Sequence, residues 1–212
     1  MTTLAGVIAI LRGVRPDEVL AIGRALFDGG IRVIEVPLNS PSPFDSIGRL
    51  VREFGNTALI GAGTVLSDDD ADRVADAGAR LVLSPNFDAG VVRRSKARGL
   101  LSMPGVATPT EGFAALAAGA DALKLFPAEL LGPGVLKAWR SVFVPATPMF
   151  AVGGVGEHNL VAFKRAGATG AGIGSSLYAP GTTPDQVLDR ARRLSALWSA
   201  EPGIEPLTVN RA

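Results

Sequence analysis

GVIAILRGVRPDEVLAIGRALFDGGIRVIEVPL, residues 6–38, contains one full unit of the pattern that decides the fold. An apolar run, GVIAIL (6–11), is followed by a segment of helical period, and a second apolar run, VIEVPL (33–38), completes the unit. Pro16 lies near the start of the helical segment and Gly29-Gly30 follows its end, which is common start and stop chemistry for a helix. Two apolar runs joined by a helix predict parallel strands with a crossover connection.

The same alternation continues along the chain. The further apolar runs are ALIGAG (58–63), LVLS (81–84), LLSM (100–103), ALKLF (122–126), MFAVGG (149–154) and AGIGS (171–175). Eight runs alternating with eight helices predict an α/β fold, a single-domain (β/α)8 TIM barrel over residues 1–200, with an open doubly wound sheet as the alternative. Residues 201–212 continue no pattern, and we expect them to form a C-terminal tail lying loosely on the surface.

Two of the helix starts carry capping signals. Ser67 precedes a block of aspartates, where a cap and the helix dipole both favour a helix N-terminus. Thr108 or Thr110 is expected to cap a later helix, and Glu111 would complete a capping box with Thr108.

Composition excludes several classes of function. The 212 residues include 21 basic and 20 acidic side chains spread along the chain, which is unlike a nucleic-acid-binding face. The absence of cysteine excludes disulfides, thiolate catalysis and cysteine-ligated metal. The single histidine, His158, cannot build a His-rich zinc site, and we expect it to lie on the surface or cap a helix.

No membrane partner or targeting signal is expected. LAGVIAIL (4–11) has no preceding positive region and leads directly into Arg12, so it is interpreted as a strand. The longest uncharged stretch, residues 166–184, is too rich in Gly, Ser, Thr and Pro for a membrane span. These features favour a cytoplasmic protein.

Lys124 lies inside an apolar strand, in DALKLFPAE (121–129). Desolvation lowers the pKa of a lysine, which makes part of the amine neutral and nucleophilic near pH 7. The alternative is a lysine that reaches water with its long stem or pairs with a carboxylate. The other lysines, Lys96, Lys137 and Lys164, lie in helical segments near arginines, and we expect them on the solvated surface.

Glu35 is a second ionisable residue inside an apolar run, VIEVP (33–37). Burial raises the pKa of a carboxyl group toward the range in which it can exchange protons near neutral pH. The alternative is a structural ion pair with Lys124 or Arg12.

Two glycine-containing stretches end the last two predicted strands. We expect AVGGVGEHNL (151–160) and GAGIGSSLY (170–178) each to end a strand and open a helix. Glycines let backbone N–H groups approach an anion, and loops at these positions commonly bind phosphate in this fold.

Six motifs together resemble the class I aldolases that cleave 2-keto-3-deoxy-6-phospho sugar acids. The motifs are IAILRG (8–13), EVPLNSP (35–41), IGAGTVL (60–66), SPN (84–86), ALKLFPAE (122–129) and AVGGV (151–155), within residues 5–199. The resemblance implies that Lys124 forms a Schiff base and that Glu35 is the general acid/base. It also implies a homotrimer that needs no metal and no other cofactor.

The resemblance assigns substrate contacts to further residues. Arg12 and Thr64 match residues at the keto-acid end, and Pro85 and Phe126 match apolar walls. The residues that match phosphate-binding loops are Gly153, Gly154, Gly174 and Ser175.

The segment after Glu35 separates the branches of this family. Members acting on the gluconate-derived substrate have a threonine and then an arginine here, whereas this chain has PLNS (37–40). The resemblance therefore favours cleavage of the galactonate-derived epimer to pyruvate and D-glyceraldehyde 3-phosphate. The alternative is an enzyme for the gluconate-derived epimer or for both.

Asn39 lies four residues after Glu35, just past the strand end. The two substrates differ at the C4 hydroxyl, and a polar group near that carbon can discriminate strongly between them. We expect Asn39, with Ser40, either to set the epimer preference or merely to cap the next helix.

Two other functions are consistent with these residues. One is a sugar-phosphate isomerase or epimerase that uses Glu35 for proton transfer and Lys124 only electrostatically. The other is a non-catalytic barrel that binds a phosphorylated metabolite and signals through oligomerisation.

Overall fold

Parallel strands form the centre of the protein. The computed structural model describes residues 2–200 and 207–209. The strands are β1 (Thr2–Leu4), β2 (Gly6–Ile10), β3 (Val33–Pro37), β4 (Leu59–Gly63), β5 (Leu81–Leu83), β6 (Leu101–Met103), β7 (Gly105–Val106), β8 (Leu123–Leu125), β9 (Met149–Val152), β10 (Gly170–Ile173) and β11 (Leu207–Val209). The helices are α1 (Val19–Asp28), α2 (Pro43–Phe54), α3 (Asp68–Asp76), α4 (Ala89–Ala97), α5 (Pro109–Ala117), α6 (Ala128–Trp139), α7 (Leu160–Arg165) and α8 (Pro184–Ala200).

One interrupted strand closes the barrel. The sheet order is β6-β5-β4-β3-β2-β10-β9-β8-β7, and every pair is parallel. β6 and β7 are the two halves of one extended segment divided at Pro104, which has no N–H to donate to the ladder. The Pro104 carbonyl still accepts a hydrogen bond from the backbone N–H of Lys124 at 3.0 Å. With the halves counted as one strand, the predicted single-domain (β/α)8 TIM barrel is confirmed and the open sheet is wrong.

Side-chain alternation divides the buried residues into two layers. In β3, Ile34 and Val36 pack between the strands and the helices, while Val33 faces the barrel interior. The interior cluster contains Leu4, Ile8, Ile10, Val33, Leu59, Leu81, Leu83, Met103, Ala122, Phe150 and Val152. Burying one Leu or Ile side chain fully stabilises the folded state by about 1.5–3 kcal/mol relative to leaving it exposed. The interior is therefore a packed core, and a ligand has room only beyond its ends.

The predicted helix caps are present. The Ser67 side chain accepts a hydrogen bond from the Asp70 N–H at 3.1 Å. Thr108, rather than Thr110, caps α5, and Glu111 completes the capping box by accepting from the Thr108 N–H at 2.8 Å.

β1 and β11 form a separate two-stranded sheet. β1 pairs antiparallel with β11, with Thr3 opposite Thr208. The expectation of a loose tail is therefore wrong for residues 207–209, while residues 201–206 and 210–212 lie outside the described part of the chain.

Two further expectations are wrong. GAGIGSSLY does not open a helix, because residues 174–178 form a single turn in which Leu177 and Tyr178 N–H groups donate to the Gly174 carbonyl, and α8 begins only at Pro184. Lys164 is not on the solvated surface, because only 7% of it is exposed. It is covered because α7 packs against α8.

Candidate active site

A cavity of about 320 Å³ lies at the C-terminal ends of the barrel strands. Ten of the eleven predicted site residues line it, namely Arg12, Glu35, Thr64, Pro85, Lys124, Phe126, Gly153, Gly154, Gly174 and Ser175. The exception is Asn39. Sequence reasoning missed five lining residues, which are Ile10, Val152, Val155, Gly172 and Ser176. Strand alternation could have found Ile10, Val152 and Gly172, and Ser176 simply follows Ser175.

Lys124 points into the barrel. Leu123 and Leu125 pack toward the helices, whereas Ala122 and Phe126 belong to the interior cluster, so alternation directs Lys124 inward. Only 6% of the residue is exposed, and its Nζ lies 4.7 Å from the centre of the Phe126 ring. Burial lowers the pKa of the Lys124 amine, Glu35 partly opposes this shift, and Arg12 adds to it. The site therefore favours a neutral amine more than water does.

Glu35 faces the same cavity from β3. It is 2% exposed, and its Oε2 has no hydrogen-bond partner among the described residues. Burial raises the pKa of the Glu35 carboxyl to about 7, although the charges of Lys124 and Arg12 lower it. Near neutral pH the group is thus divided between its acid and carboxylate forms, which suits proton exchange.

Gly63 supplies the space that the Glu35 carboxyl occupies. A Cβ at Gly63 would lie 2.1 Å from Glu35 Oε2 and 2.5 Å from its Cδ. Gly63 is not among the glycines with positive φ, so its backbone does not itself demand glycine. Glycine is required at this position because any side chain would overlap the Glu35 carboxyl group.

Thr64 reaches the cavity through an unusual backbone conformation. Alternation along β4 places Leu59, Gly61 and Gly63 inward, so a regular strand would direct the next side chain away from the cavity. Thr64 has φ of 56°, in the left-handed region, and it lines the cavity. Such strain at a non-glycine residue is common at functional sites and costs about 1–3 kcal/mol.

Glycines form the opposite wall. Gly153 and Gly154 have consecutive positive φ values of 96° and 68°, a conformation that side chains disfavour. A Cβ at Gly154 would also lie 2.1 Å from Glu129 Oε2. The Gly156 N–H already donates to Asn159 Oδ1 at 2.9 Å, so this part of the loop is fixed internally.

Asn39 does not cap the next helix. The residue before α2 is Ser42, which makes no side-chain capping bond, so the capping alternative for Asn39 is wrong. Instead Asn39 Oδ1 accepts a hydrogen bond from Arg12 Nη1 at 2.6 Å. His158 is exposed, as expected.

The described residues contain neither a cluster of metal-binding side chains nor a membrane-spanning helix. Over residues 2–200 and 207–209, no group of three or more His, Cys, Asp or Glu side chains could hold a metal ion. Within the same ranges, no helix has the length and hydropathy needed to cross a bilayer.

The fold and cavity define a class of protein, a (β/α)8 barrel with a buried lysine and a buried glutamate at its C-terminal end. Comparison with known proteins agrees with this class. The family model described as KDPG and KHG aldolase matches residues 1–194. The chain therefore belongs to the KDPG and KHG aldolase family.

Named relatives are similar over most of their length. The chain is 46% identical to a probable 2-dehydro-3-deoxy-6-phosphogalactonate aldolase of Rhizobium meliloti (strain 1021), covering 92% of each chain. It is 46% identical to the 2-dehydro-3-deoxy-6-phosphogalactonate aldolase of Escherichia coli (strain K12), covering 87% of this chain and 90% of the relative. A solved structure described as native KDPGal superposes with a TM-score of 0.91 at 43% identity, covering 93% of this chain and 96% of the other.

Proposed function

We propose that this protein is a Schiff-base lyase that cleaves 2-dehydro-3-deoxy-6-phosphogalactonate to pyruvate and D-glyceraldehyde 3-phosphate. The observation that carries the proposal is the pairing of a buried Lys124 with a buried Glu35 at one cavity. The names of the two 46% identical relatives support the galactonate-derived substrate over the gluconate-derived epimer.

Lys124 begins the reaction. Its neutral amine attacks the C2 carbonyl to give a carbinolamine, and loss of water gives a protonated imine. The C3–C4 bond then breaks as the C4 hydroxyl loses its proton, and the bonding electrons pass into the imine. This step releases glyceraldehyde 3-phosphate and leaves an enamine on Lys124. A proton added at C3 and hydrolysis of the imine return pyruvate and the free amine.

Glu35 moves the protons. Because its pKa is about 7, it can donate a proton when the carbinolamine loses water and exchange one with the pyruvate methyl carbon. Both steps need the carboxyl close to Lys124, and the two groups shift one another's pKa.

The rest of the cavity binds the two ends of the substrate. We assign Arg12 and Thr64 to the keto-acid carboxylate. Arg12 lies close enough to the reacting groups to lower the pKa of both Glu35 and Lys124. Pro85 and Phe126 form apolar walls. The phosphate is assigned to the loops of Gly153, Gly154, Gly174 and Ser175, with Ser176 as an additional hydroxyl.

The assembly and setting complete the proposal. Residues 1–200 form the catalytic barrel, which works without a metal or other cofactor, and residues 201–212 form a C-terminal tail. The protein works in the cytoplasm, where phosphorylated sugar acids are retained. It assembles as a homotrimer, and the exposed apolar side chains beside Phe143, at Phe113, Val142 and Val144, are candidates for its interface.

Cleavage of both C4 epimers tests this function. Pyruvate release is measured with each of the two epimers as substrate. We expect the larger kcat/KM for the galactonate-derived epimer. A larger kcat/KM for the gluconate-derived epimer contradicts the branch assignment. An isomerase or a binding barrel would release no pyruvate and would not be inactivated by borohydride in the presence of pyruvate.

A further inference from the structure

The segment Asn39–Ser40 holds the residues around Arg12 at three points. Asn39 Oδ1 accepts from the Arg12 guanidinium at 2.6 Å. Ser40 Oγ accepts from the Gly13 N–H at 3.0 Å and makes a longer contact, 3.5 Å, with the Leu11 carbonyl. The side chain of Arg12 and the backbone on both sides of it are therefore held by two consecutive residues.

The two holding residues lie in different environments. Ser40 is buried, with 7% exposed, so its bonds to the backbone are shielded from water. Asn39 is exposed and does not line the cavity, whereas Arg12 does line it. Asn39 is thus placed to act on the substrate through Arg12 and not by direct contact.

A fixed arginine suits the binding of a carboxylate. The guanidinium presents a rigid fork of donors that matches a carboxylate, but its long side chain must be ordered before both bonds can form. Ordering that exists before the ligand arrives reduces the entropy lost on binding.

We propose that Asn39 and Ser40 are positioning residues that hold the Arg12 guanidinium toward the carboxylate of the keto acid. The inference rests on the proposed aldolase function, and it replaces a direct contact of Asn39 with the C4 hydroxyl. Any effect of this segment on substrate selection then passes through Arg12.

A double-mutant cycle between Asn39 and Arg12 tests the inference. The probe is pyruvate, which carries the same carboxylate, and its apparent Kd is measured from borohydride-dependent inactivation. Asn39→Leu removes the acceptor and should raise this Kd about 3- to 10-fold, the size expected for a partly exposed hydrogen bond to a charged group. Asn39→Gln keeps a neutral amide acceptor and should raise the Kd less than Asn39→Leu does. In an Arg12→Ala background, Asn39→Leu should cause no further rise in the Kd for pyruvate.

Two additional measurements separate positioning from a general structural effect. Inorganic phosphate, as a competitive inhibitor of cleavage, probes the opposite end of the cavity, and its Ki should be unchanged in Asn39→Leu. Ser40→Ala should also raise the pyruvate Kd while leaving the phosphate Ki unchanged. The KM for cleavage should rise more than kcat falls in both variants.

Several results would overturn the inference. A native pyruvate Kd in Asn39→Leu, or an equal effect of Asn39→Leu with and without Arg12, contradicts positioning through Arg12. A matched rise in the phosphate Ki indicates a general loss of structure. If the native protein cleaves substrate and forms the adduct, these failures concern only the positioning role. A native protein that does neither overturns the proposed function and this inference together.

Discussion

Lys124 and Lys164 are equally buried, but their surroundings differ. They are 6% and 7% exposed, and the ammonium of each lies 4.7 Å from the centre of an aromatic ring, Phe126 for the first and Trp198 for the second. Lys164 also donates a hydrogen bond to the Trp198 carbonyl. Within the described residues, no hydrogen bond or ion pair reaches Nζ of Lys124, and the charges that act on its pKa are those of Glu35 and Arg12.

The comparison separates burial from reactivity. A buried ammonium that donates to a backbone carbonyl recovers part of the solvation it has lost, so Lys164 can serve as a structural residue. Among the residues that the structure describes, Lys124 has no such acceptor, and it opens onto a cavity large enough for a ligand. Burial together with an unsatisfied amine, rather than burial alone, is what the proposed chemistry requires.

The largest expected difference between the two lysines is in turnover. Lys124→Arg should abolish cleavage, because a guanidinium stays protonated and cannot act as the nucleophile. Lys164→Arg and the exposed control Lys137→Arg should retain the native kcat per folded molecule. Substantial pyruvate release by Lys124→Arg would mean that another group attacks the carbonyl.

Glu35 is expected to give the next largest effect. Glu35→Gln should slow exchange of the pyruvate methyl protons with solvent by about 10²–10⁴-fold, the usual contribution of a general acid/base. Since the carboxylate must accept the proton, native kcat/KM for exchange should rise with pH through about 7, the pKa of Glu35. This rise of kcat/KM with pH should be missing in Glu35→Gln. An unchanged exchange rate and pH profile, followed by NMR in deuterated water, would remove Glu35 from the chemistry.

Gly63→Ala tests the geometry between Glu35 and Lys124 without changing either group. The new Cβ would lie 2.1 Å from Glu35 Oε2, so the carboxyl must move. We expect kcat to fall about 10- to 100-fold, the scale of a misplaced catalytic group. Gly134→Ala is the matched control, because nothing lies within 4 Å of its added Cβ. Equal kcat values for the two variants would contradict the steric role of Gly63.

Thermal stability should show the smallest difference. Lys164→Met leaves the Trp198 carbonyl without its donor and should lower the free energy of unfolding by about 1–3 kcal/mol. Lys124→Met removes an amine whose protonated form is disfavoured by burial, and it should be neutral or stabilising. Because burial lowers the pKa of Lys124, its cost to the native state is present below that pKa, and the relative gain of Lys124→Met should grow as pH falls. A larger loss of Tm for Lys124→Met than for Lys164→Met contradicts the comparison.

Most of the fold could be predicted from residue patterns. The alternation of apolar runs and helical segments predicted the barrel, and Ser67 and Thr108 cap helices as expected. The turn after β10 was not foreseen, because glycine and serine permit several conformations and the pattern alone does not select one. The pairing of β1 with β11 depends on contacts between distant parts of the chain, which have no local signal.

The site was predictable where a charged residue interrupts an apolar strand, as at Lys124 and Glu35. Lys164 has no such signal, because it lies beside Arg165 at the end of a helix, and its burial depends on the packing of α7 against α8. Asn39 was expected near the site from its position after β3, but its hydrogen bond to Arg12 joins the ends of two different strands and has no local signal. The steric role of Gly63 likewise appears only when β3 and β4 are paired.

Peptide mapping of the borohydride-trapped adduct tests the central claim most directly. The native protein is treated with pyruvate and sodium borohydride and digested, and the mass of each lysine-containing peptide is measured by mass spectrometry. We expect one reduced three-carbon unit per chain, located on Lys124, with Lys164 unmodified despite its similar burial. An adduct on Lys164, Lys96 or Lys137 in place of Lys124, or no adduct at all, would contradict the assignment of Lys124 as the Schiff-base residue.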